Sequence, residues 1–172
     1  IQSFYTGNKK QLPIVESGVG IYLYDLDGKR YLDASSGPVT CNIGHGNKHV
    51  IQAMQSQANK ICLASYNFFE NTPNKLLAHK LISATKLDFD QAFIVSGGSE
   101  AIEASFKLAR QYAVSKGCPN KWKILARNPS YHGSTLGAFG ASGDPEAETI
   151  FGSMTKIVPK VATPFSYRIP EN

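Results

Sequence analysis

The sequence predicts an α/β fold with a mainly parallel sheet, and three observations carry that expectation. From Asn47 onward, apolar helical stripes alternate with short apolar runs of strand type. A hairpin-like pair of strands precedes them. The chain has 172 residues, of which 42% are hydrophobic, which suffices for one sizeable core but not for two complete domains. Helix, strand, helix, strand is the order that a parallel sheet demands, because each parallel strand is reached through a crossover.

Each element has its own local reason. Residues 19–34, VGIYLYDLDGKRYLDA, read as two strands around Asp27-Gly28, where glycine supplies the positive φ of a tight connection. Asn47 is a candidate N-cap for a helix whose Ile51, Met54, Ala58 and Ile61 share a face. Thr72-Pro73 opens a second helix, with Leu77, Leu81 and Ala84 as its stripe and Pro73 where a missing N–H costs nothing. The run 91-QAFIVS-96 is a buried-strand candidate. It leads into 96-SGGSEAIEASFKLAR-110, a helix that places Ile102, Phe106, Ala109 and Ala113 on one face and pairs Glu103 with Lys107 across an exposed turn. Residues 122-WKILA-126 read as the next strand, and no repeat, linker or low-complexity segment interrupts the series.

Composition excludes several classes of function. No apolar run reaches the roughly 18 residues of a membrane span, so no membrane partner is expected. The chain opens on Ile1-Gln2-Ser3 without a signal-peptide pattern, and the missing initiator Met points to trimming. Cys41, Cys62 and Cys118 cannot all pair and show no C-x-x-C spacing, which argues against a disulfide framework or thiolate zinc site and for a reducing, cytoplasmic setting. The formal charge of +5 comes from scattered Lys and Arg interleaved with acids, unlike the clustered basic face that binds nucleic acid.

The chemistry-bearing stretch is the opening of the long helix. A strand ending at Val95, the Gly97-Gly98 turn and a helix starting near Ser99 present free backbone N–H groups and a positive dipole end, a geometry suited to phosphate. Gly98 allows close backbone approach, and Ser99 adds a hydroxyl donor. The same pattern also serves a plain turn and N-cap, and locally both readings stand. The dinucleotide fingerprint G-x-G-x-x-G is absent, as is the Gly-Lys-Ser/Thr of a P-loop. Gly97-Gly98-Ser99-Glu100-Ala101 approximates a hydrolase nucleophile elbow, G-x-S-x-A. That fold expects an acid and then a histidine downstream, whereas His132 follows Ser99 with no intervening Asp. Further on, Tyr131-His132-Gly133 follows the second strand, where an aromatic ring could lie beside the anion site and stack on a planar heterocycle. Taken alone, a loop Tyr and a lone His are ordinary packing residues.

Together with their neighbours these residues carry a resemblance. YLYDLDGKRYLDASSG (22–37), IGHG (43–46), YNFFENTP (66–73), SGGSEAIEASFKLARQY (96–112), KGCPNKWKILARNPSYHGSTLGA (116–138) and ASG (141–143), in this order, resemble the class III aminotransferases, which are fold type I enzymes using pyridoxal 5'-phosphate. The wording is most similar to the branch of omega-amino acid and amine aminotransferases that use pyruvate. The resemblance implies an N-terminal arm and part of a small domain, with its hairpin, over 1–45. It implies the first part of the large cofactor domain, with its mainly parallel sheet, over 46–172. It also implies transamination from an amino donor to a keto acid in a homodimer whose sites lie near the subunit interface.

The roles it implies are cofactor binding by Gly98, Ser99, Tyr131, His132 and Gly133, with Tyr131 stacking on the ring. Pro38, Val39 and Thr40 would line the substrate pocket, and Phe68 and Phe69 would approach the partner's site; core packing is the alternative for the two Phe. The Schiff-base lysine and the acid pairing with the ring nitrogen have no matching context here. No catalytic residue is therefore assigned in this chain, which alone is expected to be inactive; a serine hydrolase using Ser99 and a catalytically silent binding or assembly fragment are the alternatives. No metal is expected. His45 and His49 are four apart, but Gly44 and Gly46 break a helix under His45 and no third ligand neighbours them.

Overall fold

The computed structural model describes residues 12–168, so residues 1–11 of the expected N-terminal arm lie outside it. Two compact units meet in the sequence between Asn71 and Thr72.

The first unit is built on a three-stranded antiparallel sheet of β1 (Val15–Val19), β2 (Tyr22–Asp25) and β3 (Arg30–Leu32). Val19 pairs with Tyr22 at one hairpin, and Tyr24 pairs with Arg30 at the other. The second hairpin is the one expected around Asp27-Gly28. Gly28 holds φ +76°, and its N–H donates to the Asp25 carbonyl at 3.0 Å. Strand β1 extends the expected pair to three. Its sequence, VESGV, hides it, because Ser and Gly are poor strand formers and the ladder is irregular between Val15 and Ser17.

Asp25 organises this turn. Only 6% exposed, it accepts the Tyr31 hydroxyl at 2.7 Å on Oδ2 and the N–H groups of Asp27 and Lys29 at 3.1 and 2.9 Å on Oδ1. A single turn, α1 (Ser36–Val39), follows, with Ser36 and Val39 at φ +55° and +60°. Helix α2 (Lys48–Ala58) starts where the Asn47 side chain accepts from Val50 N–H at 3.2 Å, as its capping role requires.

The second unit contains α3 (Thr72–Thr85), α4 (Gly98–Ser115), β4 (Ala126–Asn128), α5 (Leu136–Ala141), α6 (Pro145–Phe151) and β5 (Lys160–Ala162). Strands β4 and β5 run parallel, with Ala126 opposite Lys160 and Asn128 opposite Ala162, and α5 and α6 supply the crossover between them. Its small core is formed by Ala113 of α4, Ala126 of β4, Ala138, Phe139 and Ala141 of α5, and Ala147 of α6. Phe139 meets Phe151 edge to face at 6.2 Å between ring centroids. Asp144 caps α6 through Ala147 N–H, and Lys160 on β5 pairs with Glu148 on α6 at 2.8 Å.

Several expectations are corrected. Residues 91–96 and 122–125 belong to no strand; the ladder starts at Ala126, because an extended run becomes a strand only where a neighbour takes its backbone hydrogen bonds. Phe93, Ile94, Trp122 and Leu125 are exposed in those runs. The apolar stripes of α2 and α3 keep to one face each and are uncovered among the described residues, with Ile51, Met54, Leu77 and Leu81 exposed. Periodicity identified which face of each helix is apolar without identifying what covers it. Helices α5 and α6 were not expected, since LGAFGA carries two glycines and is held by packing rather than propensity.

The Asp25 contacts make a testable electrostatic unit. Chiefly the Tyr31 hydroxyl, opposed in part by burial and aided by the turn N–H groups, holds the Asp25 carboxyl below its ordinary value of 3.8. A carboxylate depressed in the folded state adds stability above its unfolded pKa, and that stability is lost as pH falls through the folded value. NMR titration should therefore place the Asp25 midpoint below 3.8, and Tyr31→Phe should move it upward. An unchanged midpoint in Tyr31→Phe would remove Tyr31 as the cause.

Candidate functional site at the start of the long helix

Helix α4 begins without a side-chain cap. Gly97 is its N-cap residue in extended conformation, and the first helical bond of the ladder runs from Ala101 N–H to the Gly97 carbonyl at 3.1 Å. The N–H groups of Gly98, Ser99 and Glu100 precede that bond and have no acceptor within the helix. Glu100 folds back over the turn, its Oε2 lying 2.9 Å from where a Gly97 Cβ would stand. The Gly98 side is open, with no atom within 4 Å of a hypothetical Cβ. An anion is thus admitted at Gly98, against free N–H groups and the positive end of an 18-residue helix.

A distant loop closes on this helix end. Ser99 Oγ accepts from Ser134 N–H at 3.0 Å, across 35 positions of sequence. Gly133, buried and at φ +132°, lies so close that a Cβ there would meet Ser99 Oγ and would stand 2.9 Å from Ser99 Cα. Only glycine satisfies both the backbone angle and the space. The next turn of α4 repeats the contact: Glu103 accepts the Thr135 hydroxyl, and a Cβ on Gly137 would stand 2.8 Å from the Glu103 carboxyl carbon. Glu103, expected to pair with Lys107, is thus turned inward onto the loop.

The loop is fixed at its other end as well. His132 N–H donates to the buried Ser142 hydroxyl at 2.9 Å, and Gly143 N–H donates to the Ser130 carbonyl at 2.8 Å. Between these anchors Tyr131 projects outward, 82% exposed, its ring available for stacking. The structure therefore brings Gly98, Ser99 and Gly133 into one place, with Tyr131 and His132 on the adjoining residues. It reveals supports that spacing did not: Glu103, Ser134, Thr135 and Ser142. The small and hydroxylic composition of 133–143 was the only trace of the last three in the sequence.

The hydrolase reading of Ser99 does not fit this geometry. A nucleophile elbow holds its serine on a strained turn, yet the non-glycine residues at positive φ among the described residues are Ser36, Val39 and Lys86. Ser99 is helical, and its hydroxyl is engaged by a backbone N–H. Pro38, Val39 and Thr40 lie in the first unit on and beside the strained α1 turn, all exposed. Phe68 and Phe69 are also in that unit and are 81% and 65% exposed, so they do not serve as core packing within the described residues.

The model of the class-III aminotransferases matches residues 4–172. The chain belongs to that family. It is 40% identical over 157 residues to the uncharacterized aminotransferase YodT of Bacillus subtilis, covering 91% of this chain and 35% of that protein. Among solved structures it is similar to the adenosylmethionine-8-amino-7-oxononanoate aminotransferase of Methanocaldococcus jannaschii, with TM-score 0.87 and 34% identity over 96% of this chain and 39% of that one. It is also similar to the omega transaminase of Pseudomonas jessenii in complex with PMP, with TM-score 0.86 and 29% identity over 93% and 36% of the two chains. These likenesses establish the fold type I architecture, and the chain spans somewhat over a third of the length of these relatives.

The contact between Gly133 and Ser99 is open to a direct test. In this class-III aminotransferase chain, Gly133→Ala adds backbone strain and a collision with α4, and should destabilise the second unit by about 1–3 kcal/mol. Denaturant unfolding of the whole protein would measure the loss. A variant as stable as the wild type would show that the loop does not depend on this approach.

Proposed function

We propose that the chain supplies the phosphate-binding and ring-stacking half of a pyridoxal-phosphate site in an enzyme that transfers an amino group from an amino acid or amine to a keto acid. The observation that carries this reading is the closure of Gly133 onto Ser99, which sets an exposed tyrosine beside an uncapped helix N-terminus. The residues present fit the group. The Gly98 and Ser99 N–H groups offer donors to a phosphate on the Gly98 side, where no atom lies within 4 Å of a hypothetical Cβ, and Tyr131 offers a flat face to a pyridine ring. When bound, pyridoxal phosphate supplies an electron sink for the bonds at the carbon bearing the amino group.

The roles of the chain follow from position. Gly98 and Ser99 hold the phosphate, Tyr131 orients the ring, and Gly133 with His132 sets the loop that carries the tyrosine. Pro38, Val39, Thr40, Phe68 and Phe69 are assigned to substrate contacts. The lysine that binds the cofactor covalently and the acid facing the ring nitrogen are assigned outside these 172 residues, so the chain alone would not transaminate. Pyruvate is the proposed acceptor, as the resemblance to the omega-amino acid and amine branch implies. A cytoplasmic homodimer, with the arm and part of the small domain over 1–45 and the first part of the cofactor domain over 46–172, completes the reading.

The phosphate assignment is testable in the whole enzyme. Ser99→Ala removes a hydroxyl from a charged ligand, and with it the acceptor of Ser134 N–H, while leaving the helix end, and should weaken retention of pyridoxal phosphate by about 1–3 kcal/mol, or roughly fivefold to 150-fold. Dialysis followed by absorbance reads it, and undiminished retention would refute the assignment. At Tyr131, Phe should be nearly silent and Ala should not, since stacking needs the ring and not the hydroxyl. Equal losses in both would shift the role to the hydroxyl.

A further inference from the structure

The first unit holds a second chemical constellation. His45 lies between an acid and a thiol: its Nε2 is 2.7 Å from Asp33 Oδ2, and its Nδ1 is 3.5 Å from Cys41 Sγ. Asp33 is itself anchored, its Oδ1 accepting Ser36 N–H at 2.8 Å. The His45 backbone is fastened to the β1–β2 turn by paired bonds with Gly20, at 2.8 and 3.0 Å. The ring lies against Gly18, where a Cβ would come within 2.7 Å of His45 Cγ.

Three features make this more than a satisfied core histidine. The hydrogen bond from His45 holds the Asp33 carboxyl below its ordinary range, and an acceptor at 2.7 Å suits the neutral tautomer that carries its proton on Nε2. That leaves the Nδ1 lone pair directed at the Cys41 thiol, as a general base requires. The imidazole stands between the other two groups, so the trio does not converge on a metal; among the described residues no group of three or more such ligands does. Finally, Cys41 and His45 line an open surface cavity of about 360 Å³ whose other side chains are Thr40, Ile43, Asn47, Val50 and Ile51.

We propose that Cys41 is a nucleophilic thiol with His45 as its base and Asp33 as positioning residue, and that this cavity is a covalent modification site for small soft electrophiles of the α,β-unsaturated carbonyl class. Sγ bonds to the β-carbon of the electrophile while the carbon–carbon π pair shifts toward the carbonyl. The thiol proton passes to His45 Nδ1 and then to the α-carbon. The product is a thioether, and no oxidant or reductant is consumed. Aliphatic walls favour the carbon skeleton of such a compound over a charged reagent.

The molecule carries its own controls. Cys62 and Cys118 are more exposed than Cys41, and their thiols face only backbone carbonyls, those of Ala58 and Lys116 at 3.7 Å. Access alone ranks Cys41 last, whereas an imidazole base ranks it first. The groups facing the ring are Asp33 and Cys41, with Gly18 behind it.

The whole protein would be treated with limiting N-ethylmaleimide and its cysteine peptides quantified by mass spectrometry. Near neutral pH Cys41 should alkylate about tenfold or more faster than Cys62 and Cys118. That advantage should narrow in alkali, where any exposed thiol ionises. Asp33→Asn should cut the Cys41 rate several-fold and leave the other two unchanged. Loss of local structure would instead expose the half-buried Cys41 and raise its rate, so the direction separates positioning from folding. Should Asp33→Asn fail to fold, the wild-type ranking alone decides. Cys41 reacting no faster than the other two thiols, with the same dependence on pH, would overturn the proposal.

Discussion

The second unit depends on one close approach, that of the Gly133 backbone to Ser99. Without a side chain at 133, two segments 34 positions apart come within van der Waals distance, and the Ser134 N–H reaches the Ser99 hydroxyl. Everything around the site follows from that contact. The Thr135–Glu103 bond continues it one turn along α4, α5 is capped by the same Thr135 side chain, and the buried face of α5 brings Ala138 and Phe139 into the core. A helix N-terminus is a general anion site; here the contact adds an exposed tyrosine on the adjoining loop, which is what supports the proposed cofactor site over a plain turn.

The first unit is held differently. Its sheet is short and largely exposed, and its turns are fixed by two aspartates that each gather several donors. Asp25 closes the β2–β3 hairpin through Tyr31, Asp27 and Lys29, while Asp33 joins the start of α1 to His45. Acceptor-only carboxylates suit this task because each has room for several N–H or O–H groups. The price is sensitivity to acid, since protonation removes the charge on which those bonds depend.

Local chemistry was legible wherever one residue type fixes a conformation. Asn47 as a cap, Thr72-Pro73 as a helix opening, Gly28 in a hairpin turn and the Gly97-Gly98 entry to α4 each follow from a side chain, or its absence, acting on its own backbone. The segments that failed were those whose state is set by neighbours. QAFIVS and most of WKILA have the composition of strands but no ladder partner among the described residues, and LGAFGA has poor helix formers yet is helical because packing holds it.

The sequence by itself determined the order of chemical groups: the glycine turn and serine at a helix mouth, the Tyr131-His132-Gly133 loop, and the family that their wording resembles. Tertiary structure decided which of them meet. It placed Gly133 on Ser99, turned Glu103 from Lys107 to Thr135, left Tyr131 outside, and set His45 between Asp33 and Cys41 rather than with His49, which lies on α2. Spacing along a chain reports only what one element's own periodicity brings together. Contacts across 10 to 35 positions depend on how separate elements pack and on the backbone angles of the glycines between them.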